Sequence, residues 1–261
     1  MQSMQKDLKP FLQETKYCDY NNLAVQALVN EFKGKYTNQK NLAVALFHFV
    51  RDNVLYRVGL WNRKASETLA EKSGTCTNSA NLLVSLLRAV DIPSGYGVMR
   101  VNGQEYFGPI MLETFRNKVS KNSVHIYCYV YLNDKWIKCD PSDDKELSEN
   151  TSYFNPTTKL VEWDGFYDSI LNLDPQHILK DDGPIDNIDH IISKKPRNAR
   201  GIPIKVANLY VKFLRQNDKK INNTKELEPL FMSWLKNNYS IYYYLYFVVS
   251  WWRNLKLSRS Q

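Results

Sequence analysis

The sequence has few of the residues that specialised protein classes require. Its 261 residues include four cysteines, too few for a small disulfide-stapled scaffold, and ten glycines and ten prolines, too few for a collagen-like or linker-like chain. A mean hydropathy of −0.48 excludes a protein built of many membrane-spanning helices. The rest of the composition, 43% hydrophobic and 24% charged, is typical of a folded protein with one sizeable core.

Long apolar runs are also missing. The first residues, MQSMQKDLKPFLQETKY, lack the apolar stretch of a secretory signal, so we expect a cytoplasmic location with reduced thiols. The longest uncharged run covers the sixteen residues 237–252, fewer than the roughly 20 that a helix needs to span a bilayer. Its many aromatic residues indicate a buried helix or a contact between subunits, or else an anchor at a membrane surface.

Acidic side chains are scarce at the C-terminal end. Residues 194–261 carry 14 of the 35 basic residues and 3 of the 27 acidic ones, whereas residues 134–189 carry 14 acidic and 5 basic residues. These two segments are predicted either to pack together or to leave the basic one free for an acidic partner. No zinc-finger, RNA-recognition or helix-turn-helix pattern accompanies the charge, so we do not expect nucleic acid as a partner. The candidate docking residues of the basic segment are Lys212, Arg215, Lys219 and Lys220.

Hydrophobic periodicity predicts helices before strands. The predicted helices cover 21–33, 39–52, 76–90, 205–215 and 226–252, with Asn38 as an N-cap and a short helix opened by NRKASETL. The predicted strands cover 96–101, 124–132 and 136–140. Asn102-Gly103 predicts a type I′ hairpin turn, and the chain beyond 145 is predicted to be irregular. This order indicates an α+β fold. We expect a helical N-terminal part at 1–60, a core with the acidic segment at 61–193, and a basic, mostly helical extension at 194–261.

Cys76 is the first candidate for chemistry. It follows Ser73-Gly74-Thr75 and begins the strongly apolar helix 76–90. The helix macrodipole and the unpaired N–H groups of a first turn favour the thiolate, which is the nucleophilic form of cysteine. A single cysteine at a helix start is more often a small buried hydrophobic residue, so this reading needs a second signal.

The second signal is a predicted hairpin. If Asn133-Asp134 is a two-residue loop, the numbers of opposite residues sum to 267, which places Tyr127 opposite Asp140. His125 is then a diagonal neighbour of Asp140 on the same face, about 7–8 Å away at Cα and within reach of a hydrogen bond. The same register places Cys128 opposite Cys139 on the other face, where we expect two buried free thiols.

The stretches around Cys76 and around the predicted hairpin resemble a known family. The stretches KASETLAEKSGTCTNSANLLVSLLRAVDIPSGYGVMRV and VHIYCYVYLNDKWIKCDPSDD resemble the core of the transglutaminase-like superfamily, over roughly residues 40–145. The matching motifs are Gly74-Thr75-Cys76, Leu86-Leu87-Arg88-Ala89, Ile92-Pro93, His125, Trp136 and Asp140-Pro141. The chain departs from many relatives at Thr77-Asn78-Ser79, where they have an acidic or aromatic residue.

The resemblance implies a papain-like, transglutaminase-like core in which the nucleophile helix packs on an antiparallel sheet, with helical N- and C-terminal extensions. It assigns Cys76 as nucleophile, His125 as base and acid, and Asp140 as the residue that orients His125. An oxyanion would bind the backbone N–H of Cys76. The remaining candidates for oxyanion or substrate binding are Trp61, Thr75 and Trp136.

The chain lacks a calcium-loop pattern and the β-sandwich domains of large animal transglutaminases. It resembles small stand-alone bacterial homologues of polyketide and nonribosomal-peptide pathways. That resemblance implies transfer of an acyl group to an amine, with no cofactor or metal. An acidic acyl or peptidyl carrier protein is the candidate donor, because it would complement the basic segment. The alternatives are a cysteine protease or amidase with the same triad, and a non-catalytic binding module.

Overall fold

A computed structural model gives the fold and describes residues 7–151, 161–171, 175–217 and 224–257. The helices are α1 Leu23–Lys35, α2 Gln39–Asn53, α3 Ala65–Glu71, α4 Cys76–Arg88, α5 Gly103–Tyr106, α6 Glu113–Arg116, α7 Lys145–Thr151, α8 Asp189–Ser193, α9 Ile202–Gln216, α10 Thr224–Asn238 and α11 Ser240–Leu257. The strands are β1 Leu55–Tyr56, β2 Ser73–Gly74, β3 Ser94–Val101, β4 Ser123–Leu132, β5 Lys135–Cys139 and β6 Ile178–Ile185. Short 3₁₀ turns cover Lys9–Leu12, Gly108–Ile110 and Pro175–His177.

Helix α4 is the centre of the core. It packs against β3 and β4 on one side and against α2 and α3 on the other. Every residue from Asn78 to Arg88 is buried, so the helix has no solvent-facing side along most of its length. The predicted apolar face therefore exists, and it is only part of a helix that is enclosed all round.

The main sheet has four strands in the order β5-β4-β3-β6, each antiparallel to its neighbour. A separate two-stranded parallel ladder pairs Leu55 with Ser73 and Tyr56 with Gly74, directly before α4 begins. The predicted α+β fold, with the nucleophile helix packed on an antiparallel sheet, is confirmed.

The predicted hairpin at Asn133-Asp134 is confirmed. Both residues have positive φ, 50° and 60°, as a type I′ turn requires. Leu132 pairs with Lys135 and Cys128 with Cys139, which is the register in which partners sum to 267. The alternation of β4 therefore places His125 and Cys128 on opposite faces of the sheet.

Two predictions beyond this hairpin are wrong. Asn102-Gly103 does not form a hairpin turn: it starts α5, and β3 reaches β4 only through the excursion 102–122, with Val101 paired to Ser123. Asparagine also favours helix N-caps, and here the Asn102 carbonyl accepts the N–H of Tyr106. The chain beyond 145 is not irregular throughout, because β6 forms the edge strand beside β3.

The C-terminal helices build a second apolar cluster. Helix α9 contributes Leu209 and Phe213, and α10 contributes Phe231 and Leu235. The predicted helix 226–252 is two helices, interrupted at Tyr239.

Up to Val248, helix α11 buries one face and exposes the other. Tyr246 is 5% exposed, whereas Ile241 and Tyr244 are 66% and 59% exposed. Within the described residues, no helix is long and apolar enough to cross a membrane.

A buried ion pair fastens α9 to the core. The Arg215 guanidinium donates to both carboxylate oxygens of Asp144 and to the carbonyl oxygen of Tyr56. The side chains of Arg215 and Asp144 are 13% and 1% exposed. Arg215 is therefore largely buried and its charge is paired with Asp144, so its prediction as a free docking charge on the surface is wrong. Lys212 is exposed, and Lys219 and Lys220 lie outside the described residues.

Candidate active site

The first turn of α4 is fixed by reciprocal hydrogen bonds around Cys76. The Asn78 Oδ1 atom accepts the backbone N–H of Thr75 at 2.9 Å and the Thr75 hydroxyl at 2.9 Å. The Asn78 amide donates to the carbonyl oxygen of Trp61 at 3.0 Å. A Cβ atom at Gly74 would lie 2.5 Å from the Asn78 Cβ, so only glycine fits beside this turn.

His125 and Asp140 form a buried pair. The His125 Nε2 atom lies 2.7 Å from the Asp140 Oδ2 atom, and the two residues are 2% and 1% exposed. The contact follows from the 267 register, which makes the two residues diagonal neighbours on one face of the β4–β5 hairpin. The predicted His–Asp hydrogen bond is confirmed.

Asp140 is held by two further donors. Its Oδ1 atom accepts the backbone N–H of Ser142 at 3.0 Å, and its Oδ2 atom accepts the backbone N–H of Leu171 at 3.2 Å. Three donors thus satisfy a buried carboxylate, which favours its charged form. Because the bond to Asp140 occupies Nε2, the Nδ1 atom of His125 is left to face Cys76.

The pKa shifts of Cys76 and His125 favour an ion pair between the two side chains. Burial raises the pKa of Cys76, but a hydrogen bond and the charge of His125, and then the N–H of Ile126, outweigh it and bring that pKa below its ordinary value. Burial lowers the pKa of His125, but the Asp140 carboxylate and the bond to Cys76 raise it well above its usual range. For Asp140, the pKa-raising effect of burial is outweighed by His125 and Ser142, so the net pKa is lowered.

These shifts predict the pH profile of Cys76 alkylation. With the Cys76 pKa lowered and the His125 pKa raised, thiolate and imidazolium coexist at neutral pH. Iodoacetamide should therefore react with Cys76 with a midpoint below the roughly 8.5 of a free thiol. We expect His125→Gln to move that midpoint upward, because both of its effects on the thiolate are lost.

The measurement is the rate of Cys76 alkylation between pH 5 and 9, followed by peptide mass spectrometry. The other cysteines, Cys18, Cys128 and Cys139, are buried free thiols and should be labelled only in denaturant. A wild-type midpoint at about 8.5 or above would contradict the ion pair.

Two site residues have no counterpart in the sequence-based predictions. The pKa of Asp143 is raised to about 7 by burial and by the charges of Asp144 and Asp140. Burial also raises the pKa of Tyr56, and the charges of Cys76 and Asp143 raise it further. In the sequence, Asp143 is part of the DPSDD run and Tyr56 belongs to the stretch that resembles the family's lead-in helix, but neither resemblance assigns a role in the site.

The three further candidates occupy different places. Thr75 is the N-cap residue of α4, and the main chain of Trp61 is tied to the first turn of that helix through Asn78. Trp136 lies near the turn end of the hairpin, with its ring 4.7 Å from that of Phe11 and 5.3 Å from that of Tyr131. Roles in oxyanion or substrate binding stay predictions for all three.

A search of curated proteins finds no significant match. Among the solved structures that match the chain is that of a "putative cysteine protease" from Cytophaga hutchinsonii, with a TM-score of 0.42 and 25% sequence identity. The alignment covers 54% of this chain and 43% of that one, so it spans less than half the length of that protein. A family profile described as the transglutaminase-like superfamily matches residues 26–141, the segment from α1 to the residue after Asp140. Residues 26–141 thus match a transglutaminase-like domain.

Proposed function

We propose that this protein transfers an acyl group to an amine through a thioester on Cys76. The observation that carries the proposal is the 2.7 Å bond between His125 Nε2 and Asp140 Oδ2, with the lowered pKa of Cys76 beside it. A nucleophile, a base and a residue that orients the base are the three parts of a covalent acyl-transfer site. The match to the transglutaminase-like superfamily supports thiol-dependent catalysis in general.

The first half of the reaction forms the acyl-enzyme. The Cys76 thiolate attacks the carbonyl carbon of the acyl donor, and the leaving thiol or amine takes its proton from the Nδ1 atom of His125. Charge develops on the carbonyl oxygen, where the N–H of Cys76 can donate, because the first residue of a helix has no carbonyl partner within that helix. Asp140 stabilises the imidazolium throughout.

The second half forms the amide. The amine attacks the thioester carbonyl and gives a proton to His125, a C–N bond forms, and the Cys76 sulfur leaves as thiolate. The choice of an amine over water as acceptor rests on the resemblance of the sequence to small bacterial amide-forming homologues. Hydrolysis by the same residues would make the protein a cysteine protease or amidase.

The acyl donor that we propose is a thioester on an acidic carrier protein. The excess of basic residues at 194–261 supports this choice, since complementary charge speeds association. Arg215 adds no free charge to such a surface, because Asp144 neutralises it.

The experiment incubates the protein with an N-acetylcysteamine thioester, with and without a primary amine. We expect a mass increase equal to the acyl group on the Cys76 peptide, and amide product only when amine is present. Free acid formed at the same rate in both reactions would assign the protein as a hydrolase. Absence of any adduct on Cys76, from this donor and from simple amides and peptides, would reject catalysis through this thiol.

A further inference from the structure

A basic cavity adjoins the start of the Cys76 helix. It has a volume of about 460 Å³ and lies between the β1–β2 ladder and helix α9. Its lining includes five cationic residues and one carboxylate: Arg57, Lys72, Lys205, Lys212, Arg215 and Glu71. The uncharged polar residues of the lining are Ser73, Asn208, Tyr56 and Tyr239.

The charge of this cavity is not balanced from within. Glu71 is engaged by Arg63 at 3.0 Å, and Arg215 is neutralised by Asp144. The other four cations, Arg57, Lys72, Lys205 and Lys212, form no ion pair with a described carboxylate. All four side chains are exposed at the mouth of the cavity, so water screens their mutual repulsion, but their combined positive potential favours a bound anion.

The side chains that surround the cavity offer donors from three separate parts of the chain. Arg57 follows β1, Lys72 is the residue between α3 and β2, and Lys205 and Lys212 lie two turns apart on α9. The Lys212 Nζ atom donates to the Tyr239 hydroxyl at 2.7 Å, which leaves the hydroxyl proton free to bond a ligand. A guanidinium fork together with three ammonium groups suits an oxyanion with several acceptor oxygens.

We propose that this cavity binds a phosphate-bearing ligand. A phosphate ester carries a charge of about −1.5 to −2 on three oxygens, whereas one carboxylate carries a single charge on two. A single phosphate group therefore neutralises more of the charge of the four unpaired cations than a single carboxylate does.

The cavity is close enough to Cys76 to share a ligand with it. Ser73 lines the cavity and precedes Cys76 by three residues, which span about 11 Å at most. The backbone N–H of Arg57 donates to the carbonyl oxygen of Gly74 at 2.7 Å, so the cavity wall is bonded to the chain that leads into α4. The phosphate can therefore belong to the acyl donor itself or to a separate small molecule.

The test uses inorganic pyrophosphate as the probe, titrated into the full chain by calorimetry at constant ionic strength set with NaCl. We expect saturable binding and a rise in Tm. Arg57→Ala, Lys72→Ala, Lys205→Ala and Lys212→Ala should each raise Kd about ten-fold, the effect of one lost charge-assisted hydrogen bond. Lys121→Ala, which removes an exposed lysine outside the cavity, is the matched control and should leave Kd unchanged.

Several results would overturn the proposal. One is a heat of pyrophosphate titration no larger than that of NaCl added to the same ionic strength, and another is an equal rise in Kd in Lys121→Ala. A third is tighter binding of hexaglutamate than of pyrophosphate that depends on the same four cations, which would assign the cavity to an acidic protein. Unliganded Tm values establish that each variant folds, and Lys205→Arg should restore the affinity that Lys205→Ala loses.

A second measurement separates the two sources of phosphate, and it alone rests on the proposed function. Phosphopantetheine and pantetheine thioesters of one acyl group are compared as donors. If the donor supplies the phosphate, Lys205→Ala raises KM only for the phosphorylated thioester, and pyrophosphate competes with it. If a separate ligand supplies it, pyrophosphate still binds and the two donors have equal KM.

Discussion

Cys76→Ala is expected to abolish adduct formation and to lower amide synthesis by on the order of 10⁵- to 10⁶-fold, the loss typical of removing a covalent nucleophile. The thiol is the atom to which the acyl group binds, and no other described cysteine lies on the His125 face: Cys128 faces the opposite side of β4, across from Cys139. Cys76 is half-buried and small, so its loss should change the free energy of unfolding by only about 1 kcal/mol. The readouts are intact-protein mass after incubation with the thioester, turnover, and Tm.

Cys76→Ser and Cys128→Ala complete this experiment. Serine keeps the size of the side chain, but its hydroxyl ionises far above the pH at which the His125 pair can activate it, so this variant should be as inactive as Cys76→Ala. Cys128→Ala removes a buried thiol that donates to the Ala80 carbonyl oxygen, and it should keep turnover while losing some stability. More than 1% of wild-type turnover in Cys76→Ala would exclude Cys76 as the nucleophile.

The hairpin was predictable because its signals are local. Strict alternation from Val124 to Leu132 and an Asn-Asp turn fix which residues face each other, and a one-residue slip would move His125 to the wrong face. The start of α4 was equally predictable, because Thr75 and Asn78 have the three-residue spacing of a capping box. The helix start that carries Cys76 and the hairpin that carries His125 and Asp140 could therefore both be predicted from short stretches of sequence.

The rest of the site depends on contacts between distant segments. The Leu171 N–H that bonds Asp140 lies 31 residues along the chain, and nothing around Leu171 marks it as a partner. Strand β6 was missed because its sequence, ILKDDGPI, has neither alternation nor β-branched residues in its middle, and pairing with β3 alone makes it a strand. The net charge likewise located the basic segment, but it did not distinguish Arg215, which is paired with Asp144, from the exposed Lys212.

Asp140→Asn is expected to lower turnover by on the order of 10⁴-fold, the size of effect that the equivalent change has in a serine-protease triad. Asparagine cannot stabilise imidazolium, and when its amide group faces His125 it donates to Nε2. The ring proton then moves to Nδ1, the nitrogen that must accept the proton of Cys76.

The fold should survive this change, because Asn keeps one oxygen for the N–H of Ser142 or Leu171. Leaving one of these buried donors without its acceptor costs about 1–3 kcal/mol. The Cys76 alkylation midpoint should also move upward, a change that lost stability alone would not cause.

Asp181→Asn is the matched control for Asp140→Asn. Asp181 accepts hydrogen bonds from the Tyr127 hydroxyl and from the Lys138 ammonium group, so it is a carboxylate of the same sheet with no bond to His125. We expect Asp181→Asn to leave both turnover and the Cys76 alkylation midpoint near their wild-type values. If Asp140→Asn, folded by Tm, kept turnover within ten-fold of wild type, Asp140 would have no part in orienting the base. The buried His125–Asp140 pair would then be a structural contact only.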